Sequence, residues 1–300
     1  KRVLSTINPI SYVKTAKQIN KFNPDILLMK YWMPFFAPSL GYVVGKMEQN
    51  TKVISILDNF IPHERKFFDT AFNKYFVKRN NGFIAMSEKV HQDLLNFSPK
   101  SKVINLKHPL YNHFGQKVDR IKACKDLNIN PDKKTLLFFG FIRDYKGLDI
   151  LINAFDKLDE SFQLIIAGEV YGSFDKYQNI INQNSRKNDI HLHIKYISDN
   201  EVRKYFSVAD LCILPYKSAT QSGITGISFH FEVPMLATNV GGLAEIIEHN
   251  KTGYIVNSVN KESIAEGINQ FFYQNKQQIF IDNIIALKKD LCWENFANKI

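Results

Sequence analysis

The sequence predicts an α/β protein made of two doubly wound, parallel-sheet domains. Its 300 residues are about twice the usual length of one domain. Short β-rich apolar runs bounded by polar turns alternate from end to end with segments of helical period, the pattern of strands feeding crossover helices. The charge is also divided: residues 1–110 hold 17 Lys+Arg and 7 Asp+Glu, residues 111–300 hold 22 of each, so the whole excess of +10 lies in the first third.

In the first part, strands are expected near Asp25–Tyr31, Lys52–Leu57, Gly82–Ala85 and Val103–Leu106, each one of these short apolar runs. Helices are expected near Phe36–Met47, Arg65–Lys78 and Glu88–Leu95. Pro109–Lys117 has little periodicity and reads as a linker. The second part repeats the scheme, with strands near Thr135–Phe141, Gln163–Ala167, Ile190–Tyr196, Leu211–Leu214, Met235–Thr238 and Gly253–Val256. Amphipathic spacing marks helices over Asp149–Phe155, closed by Leu158, and over Glu201–Val208. In such folds ligands bind beyond the carboxyl ends of strands, so the loops after Phe141, Ala167, Tyr196, Leu214 and Thr238 are where chemistry is expected.

Composition removes several classes. With 45% hydrophobic and 23% charged residues, 14 Gly and 10 Pro, the chain is neither collagen-like nor low-complexity. Its longest apolar runs, such as Ile26–Met29 and Leu136–Phe139, are far short of the ~18–20 residues of a membrane span. Cys124, Cys212 and Cys292 are widely spaced and suggest neither a disulfide framework nor a zinc site. A reducing cytoplasm is therefore expected. The basic first part implies a negative partner, such as an anionic membrane surface, or a solvated basic face. Nucleic acid is not expected, because no recognition motif for it is present.

Three loops suit an anion. Phe139-Gly140-Phe141-Ile142-Arg143-Asp144-Tyr145-Lys146-Gly147 places two cations between a strand and a helix N-terminus. Gln221-Ser222-Gly223-Ile224-Thr225-Gly226 and Thr238-Asn239-Val240-Gly241-Gly242 each offer small residues whose amides can approach a phosphate. Three such loops at one sheet edge point to a diphosphate ligand. No P-loop, Gly-x-Gly-x-x-Gly or Gly-x-Ser-x-Gly is present, which argues against common ATPases, dinucleotide dehydrogenases and α/β-hydrolases. On the first part, Asp58, His63 and Glu64 share the loop after a strand; they read either as an incidental polar loop or as functional groups, with Asp58 accepting the acceptor's proton and His63 orienting the acceptor hydroxyl or a donor-sugar oxygen. His108, His191, His193, His230 and His249 show no ligand-like grouping and read as structural.

Gly140 through Lys146-Gly147 with Leu151–Phe155, then Ala209–Pro215, Thr238–Glu245 and Thr252–Val256, resemble family 4 of the GT-B retaining glycosyltransferases. The resemblance is specific over residues 135–256 and looser over residues 1–110, where Ser87-Glu88-Lys89-Val90 carries it best. It implies two Rossmann-like domains facing each other across a nucleotide-sugar cleft: residues 1–110 on the acceptor side, residues 111–285 binding the donor, and residues 286–300 as a helix returning towards the first domain. It implies no metal and no cofactor apart from the donor, a UDP- or GDP-sugar whose diphosphate is held by cations and amides. By this resemblance Lys146 pairs with the donor diphosphate, and Arg143 stands in for an arginine the family places where this chain has Phe141. Gly140, Gln221, Ser222, Gly223, Gly241 and Gly242 line the donor site, and Glu245 matches a family glutamate. The catalytic set implied is Lys146, Arg143, His63 and Asp58.

Besides Phe141, the chain departs from the family at three places. Its paired glutamates, which hold the donor hexose and ribose, are replaced by Ala219 and Ile227, and its cleft histidine by Leu57. The first part is also shorter than a complete family domain, which implies a chain lacking its native N-terminus. The expected function is hexose transfer from a nucleoside-diphosphate sugar to a saccharide or lipid-linked acceptor in surface-glycan synthesis, at the inner membrane face. The alternative is a GT-B-fold scaffold that has lost turnover.

Overall fold

The computed structural model describes residues 3–62, 66–107, 109–111, 113–219 and 222–300. The chain divides into two compact units, Lys1–His108 and Pro109–Ile300.

Among the described residues, the first unit is built on four parallel strands, β1 (Ile26–Tyr31), β2 (Lys52–Leu57), β3 (Gly82–Ala85) and β4 (Val103–Asn105), lying in sequence order. Four α-helices among the described residues accompany them: α1 (Pro9–Phe22), α2 (Ala37–Val44), α3 (Asp69–Val77) and α4 (Glu88–Phe97). Local chemistry sets their ends. Asn8 caps α1 by accepting from the Ile10 amide, Pro9 fits its first turn, and Asn23 closes it at φ +50°. Ser87 caps α4 through the Val90 amide. The helix expected from Arg65 begins only at Asp69, whose carboxylate accepts from the Lys66 amide at 2.8 Å and so holds the preceding turn out of helical form. Tyr31, Leu57, Phe60, Phe76 and Leu94 fill the core, with Tyr31 stacked on Phe76 at 4.2 Å between ring centres.

Among the described residues, the second unit holds six parallel strands, β5 (Lys134–Phe139), β6 (Phe162–Ala167), β7 (Ile190–His193), β8 (Leu211–Leu214), β9 (Met235–Thr238) and β10 (Gly253–Val256), in the order β10-β9-β8-β5-β6-β7. Its helices are α5 (Arg120–Leu127), α6 (Leu148–Phe155), α7 (Asp175–Gln183), α8 (Asp199–Val208), α9 (Gly223–His230), α10 (Leu243–Ile246), α11 (Lys261–Tyr273), α12 (Gln277–Asp290) and α13 (Trp293–Asn298). Alternate strand residues enter opposite cores. Leu137, Phe139 and Ile165 pack on one face, and Leu136, Phe138 and Leu164 on the other. Both faces are covered, which is why these strands read as continuous apolar runs.

Strand order reverses between β5 and β8, so the switch point where such sheets bind ligands lies over the carboxyl ends of these two strands. Two strands of this sheet end earlier than expected. β5 stops at Phe139 because Gly140 turns to φ +98°, and β7 stops at His193 instead of reaching Tyr196. The expected linker packs on the second unit: the Leu110 amide donates to the Leu291 carbonyl, Phe114 is buried, and a His230 ring nitrogen meets the Gly115 carbonyl at 2.8 Å. Residues 286–300 comprise the end of α12 and α13, and they group with this unit. Among the described residues, no helix is long and apolar enough to cross a membrane, and no three His, Cys, Asp or Glu residues gather as a metal site.

Candidate functional site

At the switch point the loops after β5, β6, β7 and β8 enclose a pocket of about 350 Å³. The loop after β5 supplies its cation. After Gly140 the chain forms a 3-10 turn over Asp144–Lys146 and reaches Gly147 at φ +67°. A Cβ on Gly147 would lie 1.9 Å from the Pro215 carbonyl oxygen, so only glycine lets this loop press against the end of β8. Gly168, at φ +144°, makes the matching approach on the other side, where a Cβ would meet the Gly140 carbonyl oxygen at 2.1 Å.

These contacts aim Lys146 inward. It is 7% exposed, its Nζ lies 5.6 Å from the centre of the Tyr216 ring, and among the described residues no carboxylate pairs with it. Burial, and then the nearby Arg143 charge, push its ammonium down to about 8. The carboxylates closest in sequence are occupied elsewhere. Asp144 and Asp149 are held by Lys217 at 3.1 and 3.0 Å and by Lys176 at 2.6 and 3.4 Å. Arg143 likewise has no carboxylate partner among the described residues and stacks on the Tyr171 ring at 4.2 Å.

The opposite wall is the start of α9. Ser222 caps it, accepting from the Ile224 amide at 3.3 Å, with the Tyr216 hydroxyl 3.0 Å from its Oγ. Burial pushes the Tyr216 hydroxyl well above its usual range, so it stays protonated. A Cβ on Gly140 would lie 2.9 Å from Ile224 Cδ1 and 3.4 Å from Lys146 Nζ, so the ammonium and the Ile224 side chain of the first turn of α9 come close together beside this glycine. An unpaired ammonium beside a helix N-terminus is an anion site.

Four expected donor-site residues therefore converge: Gly140, Lys146, Ser222 and Gly223 all line the pocket. Others do not. Arg143 is exposed and is not among its lining residues. Gly241 and Gly242 are absent from its walls; Gly241, at φ +55°, allows close packing on the Ala219 carbonyl oxygen, 1.6 Å from where a Cβ would lie, and Gly242 precedes the four-residue α10. Ile227 packs against the apolar core. Asp58 lies in the first unit at the end of β2, where its amide donates to the Tyr31 carbonyl and its carboxylate pairs with Lys30 at 3.0 Å. His63 and Gln221, with Glu64 and His108, fall outside the described residues. His230 and His249 hold backbone groups, and burial lowers His191 and His193. Glu169, Tyr145, Tyr196 and Ile197 also line the pocket without having been singled out as residues. For Glu169 and Tyr196 the signal was positional, since both sit on loops marked by the carboxyl-end rule.

The family model for glycosyl transferases group 1 matches residues 119–285, more than half of the chain. An uncharacterized 41.2 kDa protein in the cps region of Klebsiella pneumoniae is 26% identical over 153 residues, covering 50% of this chain and 40% of that one. A putative teichuronic acid biosynthesis glycosyltransferase, TuaC of Bacillus subtilis, is 22% identical over 266 residues, covering 87% and 64%. The chain thus spans less than two thirds of the length of these relatives. Among solved structures, Anabaena Alr3699/HepE in complex with UDP has a TM-score of 0.75 at 14% identity, over 94% of this chain and 78% of that one. At this identity the likeness is one of fold, and it identifies the two parallel-sheet units as those of GT-B proteins. The chain belongs to the glycosyl transferases group 1 family.

Proposed function

We propose that this protein is a retaining glycosyltransferase that moves a hexose from a nucleoside-diphosphate sugar to a saccharide or lipid-linked acceptor in bacterial surface-glycan synthesis. The observation that carries this reading is the buried Lys146 ammonium, without a carboxylate partner among the described residues, close to the first turn of α9 beside Gly140. Glycosyl transfer releases a nucleoside diphosphate whose charge grows as the sugar bond breaks. A fixed ammonium and fixed amides that bind that charge more strongly in the transition state than in the ground state lower the barrier. In this reading Lys146 and the α9 amides meet the diphosphate, and Arg143 adds a second positive charge nearby. Retention at the anomeric carbon is carried over from the family resemblance, as is independence from metal.

The surface-glycan role is supported by the relatives named for a cps region and for teichuronic acid synthesis. The nucleotide donor is supported by the UDP complex of a protein with this fold. The first unit supplies the membrane contact in this reading. Its net charge of +10 is matched by an α1 that exposes Lys14, Lys17 and Lys21 beside Ile10, Val13 and Phe22, with no acidic residue before Asp25. Each basic residue near an anionic lipid surface contributes about 1 kcal/mol. The enzyme then works as a peripheral protein on the cytoplasmic face.

Calorimetric titration with UDP, GDP and ADP, repeated on Lys146→Ala, tests the donor site. Selective binding of one nucleotide, weakened about 10- to 100-fold by the substitution, is the expected result. A folded wild-type protein that binds none of them would overturn the reading.

A further inference from the structure

The pocket changes character along the sheet. Its walls come from the ends of four adjacent strands in the order β8-β5-β6-β7. Over β8 and β5 stand the first turn of α9 and the Lys146 ammonium; over β6 and β7 stand Glu169, Tyr196 and Ile197. At about 4.8 Å between strands, the row is roughly 14 Å long, enough for a diphosphate and the nucleoside attached to it to lie end to end.

Glu169 is exposed, and among the described residues no cation or hydrogen-bond donor engages its carboxylate. Its backbone is nevertheless fixed. The Glu169 carbonyl accepts from the Ile142 amide at 2.8 Å, and the preceding Gly168 donates to the His193 carbonyl at 3.1 Å. A carboxylate repels phosphate, so it can serve this pocket only where the ligand is uncharged and presents hydrogen-bond donors.

Resting on the donor-site reading, we propose that Glu169 recognises the nucleoside, its carboxylate accepting from ribose hydroxyls or from a ring N–H of the base. This assigns a polarity to the bound donor, diphosphate over β8 and β5 and nucleoside over β6 and β7. It also places a nucleoside-binding carboxylate on a different loop from Ala219 and Ile227, neither of which offers one.

The test uses the full chain, wild type, Glu169→Ala, Glu169→Gln and Lys146→Ala. The probes are inorganic pyrophosphate, UDP and GDP, and the 2′-deoxy, 3′-deoxy and ring-N-methyl analogues of whichever nucleotide binds. Glu169→Ala is expected to weaken nucleotide binding about tenfold or more, the effect of a lost hydrogen bond to a charged group, and to leave pyrophosphate binding unchanged. Glu169→Gln should fall between. Lys146→Ala should weaken both classes of probe. One analogue should bind the wild type poorly yet bind Glu169→Ala as well as its parent does; a deoxy analogue identifies the ribose as partner and the methylated one the base. Unchanged nucleotide affinity in Glu169→Ala, or an equal loss for pyrophosphate, overturns the assignment while leaving the donor site standing. A wild type that binds neither nucleotide nor pyrophosphate removes the donor site, and this assignment with it.

Discussion

The Lys146 ammonium lies 5.6 Å from the centre of the Tyr216 ring while only 7% of the residue reaches solvent. An aromatic face attracts a cation but does not replace a carboxylate, so burial still dominates and lowers the proton affinity to about 8. The ammonium form, present at neutral pH, is the one an anionic ligand needs.

A first prediction concerns pH. The unfolded chain keeps the Lys146 proton up to its ordinary 10.5, whereas the folded chain keeps it only to about 8. Between those values the unfolded state binds more protons, so the Lys146 contribution to stability rises with pH. Its full span is about 3 kcal/mol. Denaturant unfolding of wild type and Lys146→Met at pH 7 and pH 10 should show Lys146→Met gaining stability over wild type at pH 7 and losing that advantage at pH 10. Nucleotide affinity should move the opposite way, falling above pH 8 in wild type, with that fall absent in Lys146→Met. A wild-type affinity that is flat from pH 7 to pH 10 would remove the charged lysine from the site.

Gly147 holds the same loop sterically. Any side chain there meets the Pro215 carbonyl, and φ +67° is strained for an L-residue. Gly147→Ala is expected to cost about 2 kcal/mol or more, lowering Tm by roughly 4–8 °C, and to move Lys146 enough to weaken nucleotide binding as well. Thermal melts and calorimetry check both effects, and an unchanged melt would show that the loop relaxes around the methyl group.

Much of this was legible in the sequence. The strands of the second unit announced themselves as apolar runs because both sheet faces are buried, and Gly140, Lys146, Ser222 and Gly223, which line the pocket, were marked by their places after strands. The misreadings are local. β5 was run two residues too far, because Phe141 and Ile142 look β-forming and only the positive φ of Gly140 ends the strand. The helix α1 went unread, although Asn8-Pro9 is a cap followed by a first-turn proline. Gly241, expected at the donor site, is absent from the pocket's lining and packs on Ala219, and a Gly pair before a helix reads the same in sequence either way. Glu169 was passed over because a single exposed carboxylate carries no motif; only its position on the pocket wall distinguishes it.

Asp210 offers a control at the opposite end of the sheet. Its carboxylate accepts from the Thr135 amide at 2.8 Å and pairs with Arg120 at 3.0 and 3.3 Å, tying the starts of β5 and β8 to α5. Asp210→Ala leaves that guanidinium and amide without their partner and is expected to cost about 2–4 kcal/mol. Nucleotide affinity, measured well below the melting temperature, should not change. A parallel loss of affinity would mean that the pocket depends on overall stability, so that binding losses elsewhere would need correction for unfolding.

The last prediction concerns the charges around the Lys146 loop. Lys217 bonds both Asp144 and Asp149, and its amide donates to the Tyr145 carbonyl at 2.7 Å, so it ties the loop to the end of β8 by side chain and backbone together. Asp144 is held below the usual carboxylate range, first by Lys176 and then by Lys217. It stays ionised two residues from Lys146. Lys217→Met would keep the backbone tie but leave Asp144 more weakly compensated, reducing the positive potential in the pocket. Nucleotide affinity should then drop about two- to fivefold, the size of a screened charge, and the drop should shrink in high salt. Adding Asp144→Asn to Lys217→Met removes the released charge and should restore binding. If the double variant stays as weak as Lys217→Met, the loss comes from loop geometry and not from charge.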